Sequence, residues 1–391
     1  MPRIEAVDFF YVSMPKVEDI GDGSQDACVV RVALGSQLGW GECEAAPLPT
    51  IAALVCPMSH SACHPVIESV LGATIATPDD IRALGDRVRA RSLDLLQAEH
   101  ALSGIDMALW DALGRATGEP AWALLGYRKS WPKLPYASVL FGDTASDTLA
   151  KAKAIRKKGF RAAKFGWGPF GAGTVKQDVD QLHAAREGLG RDGVLLVDAG
   201  TVWVEDLKAG LKRLKALAEV KATWLEEPFV SGALDEYKAL AKRSKVRLAG
   251  GEGAHNFHMA RHMIDHAGIG YVQIDAGRIG GISVAKRVAD YAKKKGVTYV
   301  NHTFTSHLAL SASLQPFAGL KDHVICEYPL EAKPVALAIT RDRILPDTGG
   351  MVAAPDAPGL GLTIDPKALK PYLLDVEIKV GGKALYRTPR L

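Results

Sequence analysis

The chain has 391 residues, of which 48% are hydrophobic and 24% are charged, and its formal net charge is +4. A chain of this length and composition can bury a large core, with room for a barrel and a smaller domain. The small net charge, together with the lack of a long stripe of lysine and arginine, argues against nucleic acid or an anionic membrane as a partner.

The first third of the sequence predicts a small α+β unit. Residues 3–12 and 28–34 are rich in apolar and β-branched side chains, which predicts two strands, and residues 17–26 between them form a loop rich in glycine and carboxylates. From Pro47 to Gly72 the sequence is irregular and contains four prolines. We therefore expect a long packed loop in that segment.

A helical pattern follows, from about residue 78 to residue 125. Thr77 precedes a proline and two aspartates, which is typical of a capped helix start. Leu93 and Leu96 continue the apolar periodicity, so we expect their side chains to be buried. Asp106 lies in the same apolar stretch and is expected to be a structural carboxylate.

From Pro135 the sequence alternates strand and helix patterns, which predicts βαβ units and parallel strand pairing. The first two units have strands at 136–141 and 161–165 and helices at 147–158 and 175–188. Six further strand patterns follow, which makes eight. We therefore predict an α/β fold with a (β/α)8-type, TIM-like barrel.

Six polar residues end the last six strands at intervals of 23 to 28 residues. Such an interval corresponds to one strand, one helix and two loops, so the six side chains are expected to face one another at the mouth of the barrel. They are Asp198, Glu226, Glu252, Asp275, His302 and Glu327.

Asp198, Glu226 and Glu252 end consecutive strands and predict a metal site. Neighbouring parallel strands lie about 4.8 Å apart, so three carboxylates there need a cation in order to stay charged. An all-oxygen site of this kind suits Mg²⁺. The alternative is that these residues are helix N-caps. Strand alternation allows only one of Glu226 and Glu227 to face inward, and we assign Glu226 as the ligand, with Glu227 in a supporting role.

Asp275 and His302 predict a general base. A carboxylate beside an imidazole fixes the ring tautomer and raises the pKa of the histidine. Across the mouth, Lys164 supplies a cation for a substrate carboxylate or a group for proton transfer, and a protonated Glu327 can donate a hydrogen bond to a charged intermediate. Together these groups suit abstraction of the proton α to a carboxylate.

With these residues in place, the sequence resembles the mandelate racemase-like branch of the enolase superfamily over nearly its whole length. The resemblance implies that the three consecutive carboxylates bind Mg²⁺, that Asp275 and His302 form the base dyad, and that Glu327 is the acid at the end of the eighth strand. It also implies an N-terminal capping domain whose loops near 17–27 and 47–66 close over the substrate. The segments that carry the resemblance are 104–111 (GIDMALWD), 224–228 (WLEEP), 250–252 (GGE), 275–281 (DAGRIGG) and His302.

The sequence departs from the family pattern at one position. The family often carries Lys-x-Lys at the end of the second barrel strand, where the second lysine is the base for the opposite face. Here Lys164 fills the first position and Gly166 the second. Racemisation needs bases on both faces, so we expect a Mg²⁺-dependent acid-sugar dehydratase, in which one histidine converts an aldonate or aldarate to its 2-keto-3-deoxy product. The alternatives are a racemase, epimerase or cycloisomerase of the same superfamily, or a non-catalytic barrel with a binding role.

We expect a capping domain at 1–130, the barrel at 131–353 and a C-terminal segment at 354–391 that returns to the cap. The five cysteines form no CxxC pair, and no apolar run reaches the length of a membrane span. These features predict a cytoplasmic protein, and the resemblance implies a homo-oligomer with a small-molecule acid-sugar substrate.

Overall fold

The computed structural model describes residues 2–44 and 46–391. The N-terminal part is a three-stranded antiparallel sheet followed by helices. Its elements are β1 (Ile4–Ser13), β2 (Asp26–Leu34), β3 (Gln37–Cys43), α1 (Pro47–Val55), α2 (Val66–Val70), α3 (Pro78–Arg91), α4 (Ala98–Thr117) and α5 (Ala121–Leu124), with a 3-10 turn at Gly23–Gln25.

Helix α4 is the core of this N-terminal part and packs across β3. It is buried along most of its length, as its apolar sequence predicts. Gly39 and Gly41 of β3 allow this close approach, because a Cβ at either position would overlap the backbone of α4. On the other side of the helix, Asp106 accepts a hydrogen bond of 3.0 Å from the backbone N–H of Ser283 and so links the cap to the barrel.

Eight parallel strands form a nearly closed barrel in the second part of the chain, which confirms the predicted fold class. Its strands are β4 (Leu134–Leu140), β5 (Ala162–Gly166), β6 (Val194–Asp198), β7 (Trp224–Glu226), β8 (Arg247–Gly250), β9 (Tyr271–Asp275), β10 (Thr298–His302) and β11 (Ile325–Tyr328). The helices around them are α6 (Ala145–Lys157), α7 (Val175–Leu189), α8 (Leu207–Leu211), α9 (Leu214–Glu219), α10 (Leu234–Ala241), α11 (Phe257–His266), α12 (Ile282–Lys295) and α13 (His307–Leu314), with a 3-10 turn at Gln315–Phe317.

The barrel has a seam between β10 and β11, where a side chain replaces part of the backbone ladder. The hydrogen-bonded order runs from β10 through β9 down to β4 and ends at β11. Across the seam, the Asn301 side-chain carbonyl accepts from the Glu327 N–H at 2.9 Å, and the Asn301 amide donates to the Glu327 carbonyl at 3.3 Å. This pairing fixes Glu327 at the mouth of the barrel.

Parallel register brings the predicted site residues to one level. Asp198 at the end of β6 pairs with Gly166 of β5 and with Glu226 of β7. At the end of β10, His302 pairs with Asp275 of β9. The carboxyl ends of the strands therefore form a single polar mouth, as the spacing predicts.

The C-terminal segment contacts the N-terminal sheet. After α14 (Pro334–Ala338) the chain forms α15 (Pro366–Leu369), a 3-10 turn (Lys370–Tyr372) and the hairpin β12 (Glu377–Val380) and β13 (Lys383–Arg387). The Leu374 N–H donates to the Tyr11 carbonyl at 2.8 Å, and the Tyr386 hydroxyl donates to the Phe9 carbonyl. The boundaries at residues 130 and 353 stay predictions.

Two local expectations are wrong. The segment from Pro47 to Gly72 is not a continuous loop but contains α1 and α2. Leu93 and Leu96 are 71% and 91% exposed, because α3 ends at Arg91 and both leucines lie in the connection to α4. Within residues 2–44 and 46–391, no helix is long and apolar enough to cross a membrane.

Candidate active site

A cavity of about 390 Å³ lies between the carboxyl ends of the barrel strands and residues 20–22 of the β1–β2 loop. Five of the seven predicted site residues line it directly, and the other two, Glu226 and Asp275, are buried beneath them. The structure thus brings all seven predicted side chains to one end of the barrel. The five that line the cavity are Lys164, Asp198, Glu252, His302 and Glu327.

Lys164 is held as an ammonium by three carboxylates. Its Nζ lies 2.6 Å from Glu226 Oε1, 3.0 Å from Glu327 Oε1 and 3.6 Å from Asp198 Oδ2. Burial disfavours the charged form, but the attraction of Glu226 and Glu327 outweighs it, so the pKa of Lys164 lies well above its usual value. Lys164 is therefore a fixed positive charge and not a ready proton acceptor.

The acidic strand ends form a cluster with excess negative charge. Burial raises the pKa of Asp198 to about 6 and raises the pKa of Glu226 and Glu227 well above the usual range, and the charge of Glu252 adds to all three shifts. Glu227 joins the cluster because it lies beyond the end of β7 with a φ of 36°. Strict strand alternation does not apply to it, so both glutamates of the pair lie near the same charges.

The residues present fit a divalent cation by charge and by donor type. Carboxylate oxygens are the ligands that Mg²⁺ prefers, and Asp198, Glu226 and Glu252 supply them. In the described residues, no three acidic, histidine or cysteine side chains converge as a formed metal site. The ammonium of Lys164 contacts two of the three predicted ligands, so binding of Mg²⁺ requires side-chain adjustment in this group.

His302 and Asp275 form the predicted dyad. His302 Nδ1 lies 2.7 Å from Asp275 Oδ2, and the Gly277 N–H donates to Asp275 Oδ1 at 2.6 Å. The opposite ring nitrogen, Nε2, is 3.2 Å from Glu252 Oε2 at the cavity. Burial opposes protonation, but Glu252, Glu327 and the hydrogen bond with Asp275 together raise the pKa of His302 to about 10. The imidazole is thus oriented by one carboxylate and presents Nε2 to the cavity.

Glu327 is charged in this arrangement. Its Oε2 accepts a hydrogen bond of 2.7 Å from the Thr303 N–H. Burial favours the neutral acid, yet the positive charges of Lys164 and His302 outweigh burial and lower the pKa of Glu327. The role of Glu327 as a hydrogen-bond donor stays a prediction, because the side chain must first be protonated, and the charges around it here favour the ionised form.

Arg278 is a site residue that sequence reasoning did not single out. It forms a half-buried ion pair with Glu44 of the cap, and its Nη1 lies 3.6 Å from Glu252 Oε1. Burial works against the charge, but Glu44 and Asp275 hold the pKa of Arg278 well above its usual value. The signal was present as the arginine of the DAGRIGG segment at 275–281. Arg278 connects the cap to one of the predicted metal ligands.

The β1–β2 loop is held over the cavity by two aromatic side chains from barrel loops. The ring of Trp167 lies so close to Gly21 that a Cβ there would be 3.0 Å from it, and the same ring contacts Gly200. The ring of Phe304 occupies the space in which a Cβ of Gly23 would lie. The loop is therefore docked against the barrel through two glycines.

A capped barrel whose strand ends carry three carboxylates, a His–Asp dyad and a lysine is the architecture expected for this family. The family model of the enolase C-terminal domain-like group matches residues 147–368, and that of the mandelate racemase / muconate lactonizing enzyme N-terminal domain matches residues 22–126. The chain therefore belongs to the enolase superfamily, in its mandelate racemase-like branch. Members of this superfamily generally use Mg²⁺.

Known relatives include enzymes of acid-sugar metabolism. The chain is 31% identical to a D-galactarolactone cycloisomerase of Agrobacterium fabrum, over 70% of this chain and 73% of that protein. It is 29% identical to an arabinonate dehydratase of Saccharolobus solfataricus, over 69% of this chain and 71% of that protein. A crystal structure described as a predicted mandelate racemase from Rhodobacter sphaeroides shares 60% identity over the whole of both chains, with a TM-score of 0.96. These relatives support an acid-sugar enzyme and leave dehydration and cycloisomerisation both open.

Proposed function

We propose that the protein is a Mg²⁺-dependent acid-sugar dehydratase. His302 Nε2 takes the proton from the carbon α to the substrate carboxylate, and the electron pair of that C–H bond passes into the enolate. The C–O bond to the β-hydroxyl then breaks, and His302 returns the proton to the leaving oxygen, which departs as water. The resulting enol becomes the 2-keto-3-deoxy acid. Bound Mg²⁺ supplies the positive charge that makes the enolate accessible.

The observation that carries this proposal is the presence of one working base. A Cβ at position 166 would lie 2.8 Å from both Cβ and Oδ2 of Asp198, so a lysine cannot stand there without moving a predicted metal ligand. Lys164, which remains on that side, is held as an ammonium by its carboxylate partners, and its ordinary pKa of 10.5 keeps it charged at neutral pH even when a cation offsets those carboxylates. The pKa of His302 is raised largely by Glu252 and Glu327, so a cation bound at the carboxylates would return it toward its ordinary value of 6.5 and leave Nε2 free to accept a proton. A single base that takes and returns one proton suits syn elimination, whereas racemisation needs a group on each face.

The remaining residues bind and orient. Asp275 holds the tautomer of His302 and so keeps Nε2 directed at the cavity. Lys164 places a fixed cation beside the predicted metal ligands. Negative charge on the substrate carboxylate increases when the enolate forms, and a cation at that place stabilises it. Arg278 holds Glu252 from the cap side. None of these roles needs a second proton acceptor.

Cycloisomerisation is the second candidate, and the relationship to the galactarolactone enzyme favours it. Opening a sugar lactone by elimination also begins with loss of the α-proton to one base, so the same dyad serves. The two reactions differ in mass balance. Dehydration removes one water from the substrate, whereas cycloisomerisation leaves the molecular formula unchanged.

The test is a library of aldonic and aldaric acids and their lactones, incubated with the Mg²⁺-loaded enzyme in ²H₂O. We expect products that have lost one water and that react as 2-keto-3-deoxy acids. His302→Asn should abolish both dehydration and α-proton exchange, because one residue performs both transfers. His262→Asn, on the outer surface of α11, is the matched control and should keep full activity.

Three results decide against the proposal. Rapid α-proton exchange in which the products carry ²H but have lost no water identifies a cycloisomerase, racemase or epimerase. Retained α-proton exchange in the His302→Asn variant identifies another residue as the base. A chain that binds the acids with Mg²⁺ and turns none of them over is a binding protein.

A further inference from the structure

The walls of the cavity differ in charge between the floor and the rim. At the floor, Lys164, Asp198 and Glu327 are almost fully buried. The rim is formed by the β1–β2 loop and by the segment after β11, and its charged lining residues are Asp22, Glu331 and Lys333. The side chains of Asp22 and Lys333 are partly solvent-accessible, and that of Glu331 is exposed.

The rim carries more negative than positive charge. Among the described residues that line the cavity, the cations besides Lys164 and His302 are Arg278, which is already paired with Glu44 and lies 3.6 Å from Glu252, and Lys333 at the rim. Its Nζ is already 3.1 Å from Glu18 Oε2 and 3.8 Å from Asp22 Oδ2. Glu331 lies two residues before it and has no ion pair among the described side chains. The single rim cation is therefore shared among three carboxylates, since the charge of Glu331 also acts on Lys333, and the rim keeps a net negative charge.

We propose that the site takes acid sugars with one carboxylate and discriminates against the corresponding diacids, so that the substrate class is the aldonates and not the aldarates. This inference rests on the proposed function for the position of the reacting carboxylate at the floor. The far end of the substrate then lies at the rim, among Asp22, Glu331 and the already paired Lys333.

Hydrogen-bond chemistry supports this assignment. Carboxylates accept hydrogen bonds and donate none when ionised, so Asp22 and Glu331 suit the hydroxyl groups of a neutral polyol end. A second carboxylate at the same place brings no donors and adds a like charge. Like charges at contact distance are unfavourable even where solvent screens them.

The test compares stereochemically matched pairs, each an aldonate and the aldarate of the same configuration, with the Mg²⁺-loaded enzyme. The first measurement is the rate of α-proton exchange in ²H₂O at low substrate concentration, and the second is the rise in Tm that each acid produces. We expect the aldonate to exchange at least about tenfold faster, and this ratio to fall as salt rises from about 50 mM to about 500 mM.

Variants at the rim give opposite expectations. Glu331→Gln should improve the aldarate relative to the aldonate by severalfold, whereas the charge-conserving control Glu331→Asp should leave the ratio near that of the wild type. Lys333→Gln removes the one rim cation and should increase the discrimination.

An aldarate that exchanges as fast as its aldonate, or a ratio that Glu331→Gln does not move, overturns the inference. Failure of the proposed function gives a different result. If the acids exchange their α-protons but lose no water, dehydration is contradicted, yet the ratio of aldonate to aldarate exchange rates can still be measured. If no acid exchanges, the rise in Tm decides: equal or larger stabilisation by the aldarates contradicts the inference.

Discussion

At the scale of single residues, Gly166 governs the arrangement of the site. It pairs in register with Asp198, and the carboxylate of Asp198 fills the space that a side chain at position 166 would need. The Gly200 N–H donates to Asp198 Oδ1 at 2.7 Å and holds the carboxylate in that place. The glycine therefore does two things at once: it removes the second base and makes room for the first predicted Mg²⁺ ligand.

Gly166→Ala tests this packing. The added Cβ should displace Asp198, reduce Mg²⁺ affinity by about tenfold or more, and lower the free energy of unfolding by about 1–3 kcal/mol. Calorimetric titration of Mg²⁺ and urea unfolding measure the two effects. Gly232→Ala is the matched control, since a Cβ there has no neighbour within 4 Å. Equal Mg²⁺ affinity in both variants would show that Asp198 is not constrained by position 166.

The residues of the site were easier to predict than their protonation. Spacing along the chain placed the acidic strand ends and His302 at one mouth, because parallel strands bring every strand end to the same side. The pairing of Lys164 with Glu226 and Glu327 spans 62 and 163 residues of sequence and depends on side-chain conformations. The sequence did not predict a role for Arg278, because its partner Glu44 lies far away in the chain, in the cap. Sequence patterns therefore did not predict the ion pairs between segments that are distant in the chain.

At the scale of elements, the β1–β2 loop is a preformed cover. The buried side chain of Gln25 donates to the carbonyls of Glu18 and Asp22 at 2.9 and 3.0 Å, and its own oxygen accepts from the Glu18 N–H at 2.7 Å. These hydrogen bonds fix the conformation of the loop from within, independently of its contacts with the barrel. Its attachment to the barrel then depends on Trp167 and on Phe304.

Trp167→Ala should loosen this attachment with little effect on stability. The indole is 48% exposed, so the loss in free energy of unfolding should stay below about 1 kcal/mol. The loop then opens more often, which should raise KM severalfold and speed amide hydrogen exchange in residues 17–25. Leu345→Ala, which removes another exposed apolar side chain far from the mouth, is the control. Unchanged amide hydrogen exchange in residues 17–25 would show that Trp167 does not hold the loop against the barrel.

The helices of the cap show where element prediction from sequence fails. Prolines in residues 47–72 indicated a loop, yet α1 begins at Pro47 and carries proline in its first turn, where the missing N–H has no helical partner to lose. Conversely, the apolar periodicity continues past Arg91, where α3 ends, and so it wrongly predicted that Leu93 and Leu96 would be buried. The barrel strands were predicted well because each is bounded by clear turns and repeats at a regular interval.

At the scale of the whole molecule, the barrel concentrates like charge at one end and depends on cations to balance it. The acidic cluster holds protons in the folded state that the same carboxylates lose in the unfolded chain, as the raised pKa values of Asp198, Glu226 and Glu227 show. The raised pKa of His302 has the same consequence. These four groups at the barrel mouth therefore bind more protons in the folded protein without metal than in the unfolded chain.

The sign of the resulting pH dependence follows from linkage. A carboxylate or histidine whose pKa is raised on folding contributes stability that is complete below the unfolded pKa and is lost as pH rises through the folded one. For Asp198 that window lies between its ordinary value and about 6, and for His302 it ends near 10. Without Mg²⁺, the stability that these groups contribute should therefore fall as pH rises from about 5 to about 10, while buried histidines with lowered pKa values, such as His100 and His307, contribute with the opposite sign whether or not Mg²⁺ is bound. Bound Mg²⁺ replaces the protons, so the stabilisation that it gives should grow over the same range.

Thermal unfolding with Mg²⁺ and with a chelator, repeated across this pH range, measures that growth as a widening difference in Tm. Asp198→Asn serves as the comparison, because it removes one acidic group and one predicted ligand together and should narrow the difference at every pH. A difference in Tm that is constant from acid to alkaline pH would mean that Mg²⁺ does not displace protons from this cluster. The charge excess at the barrel mouth would then be balanced by Lys164, Arg278 and protonated His302, and Mg²⁺ would not bind at the three predicted ligands.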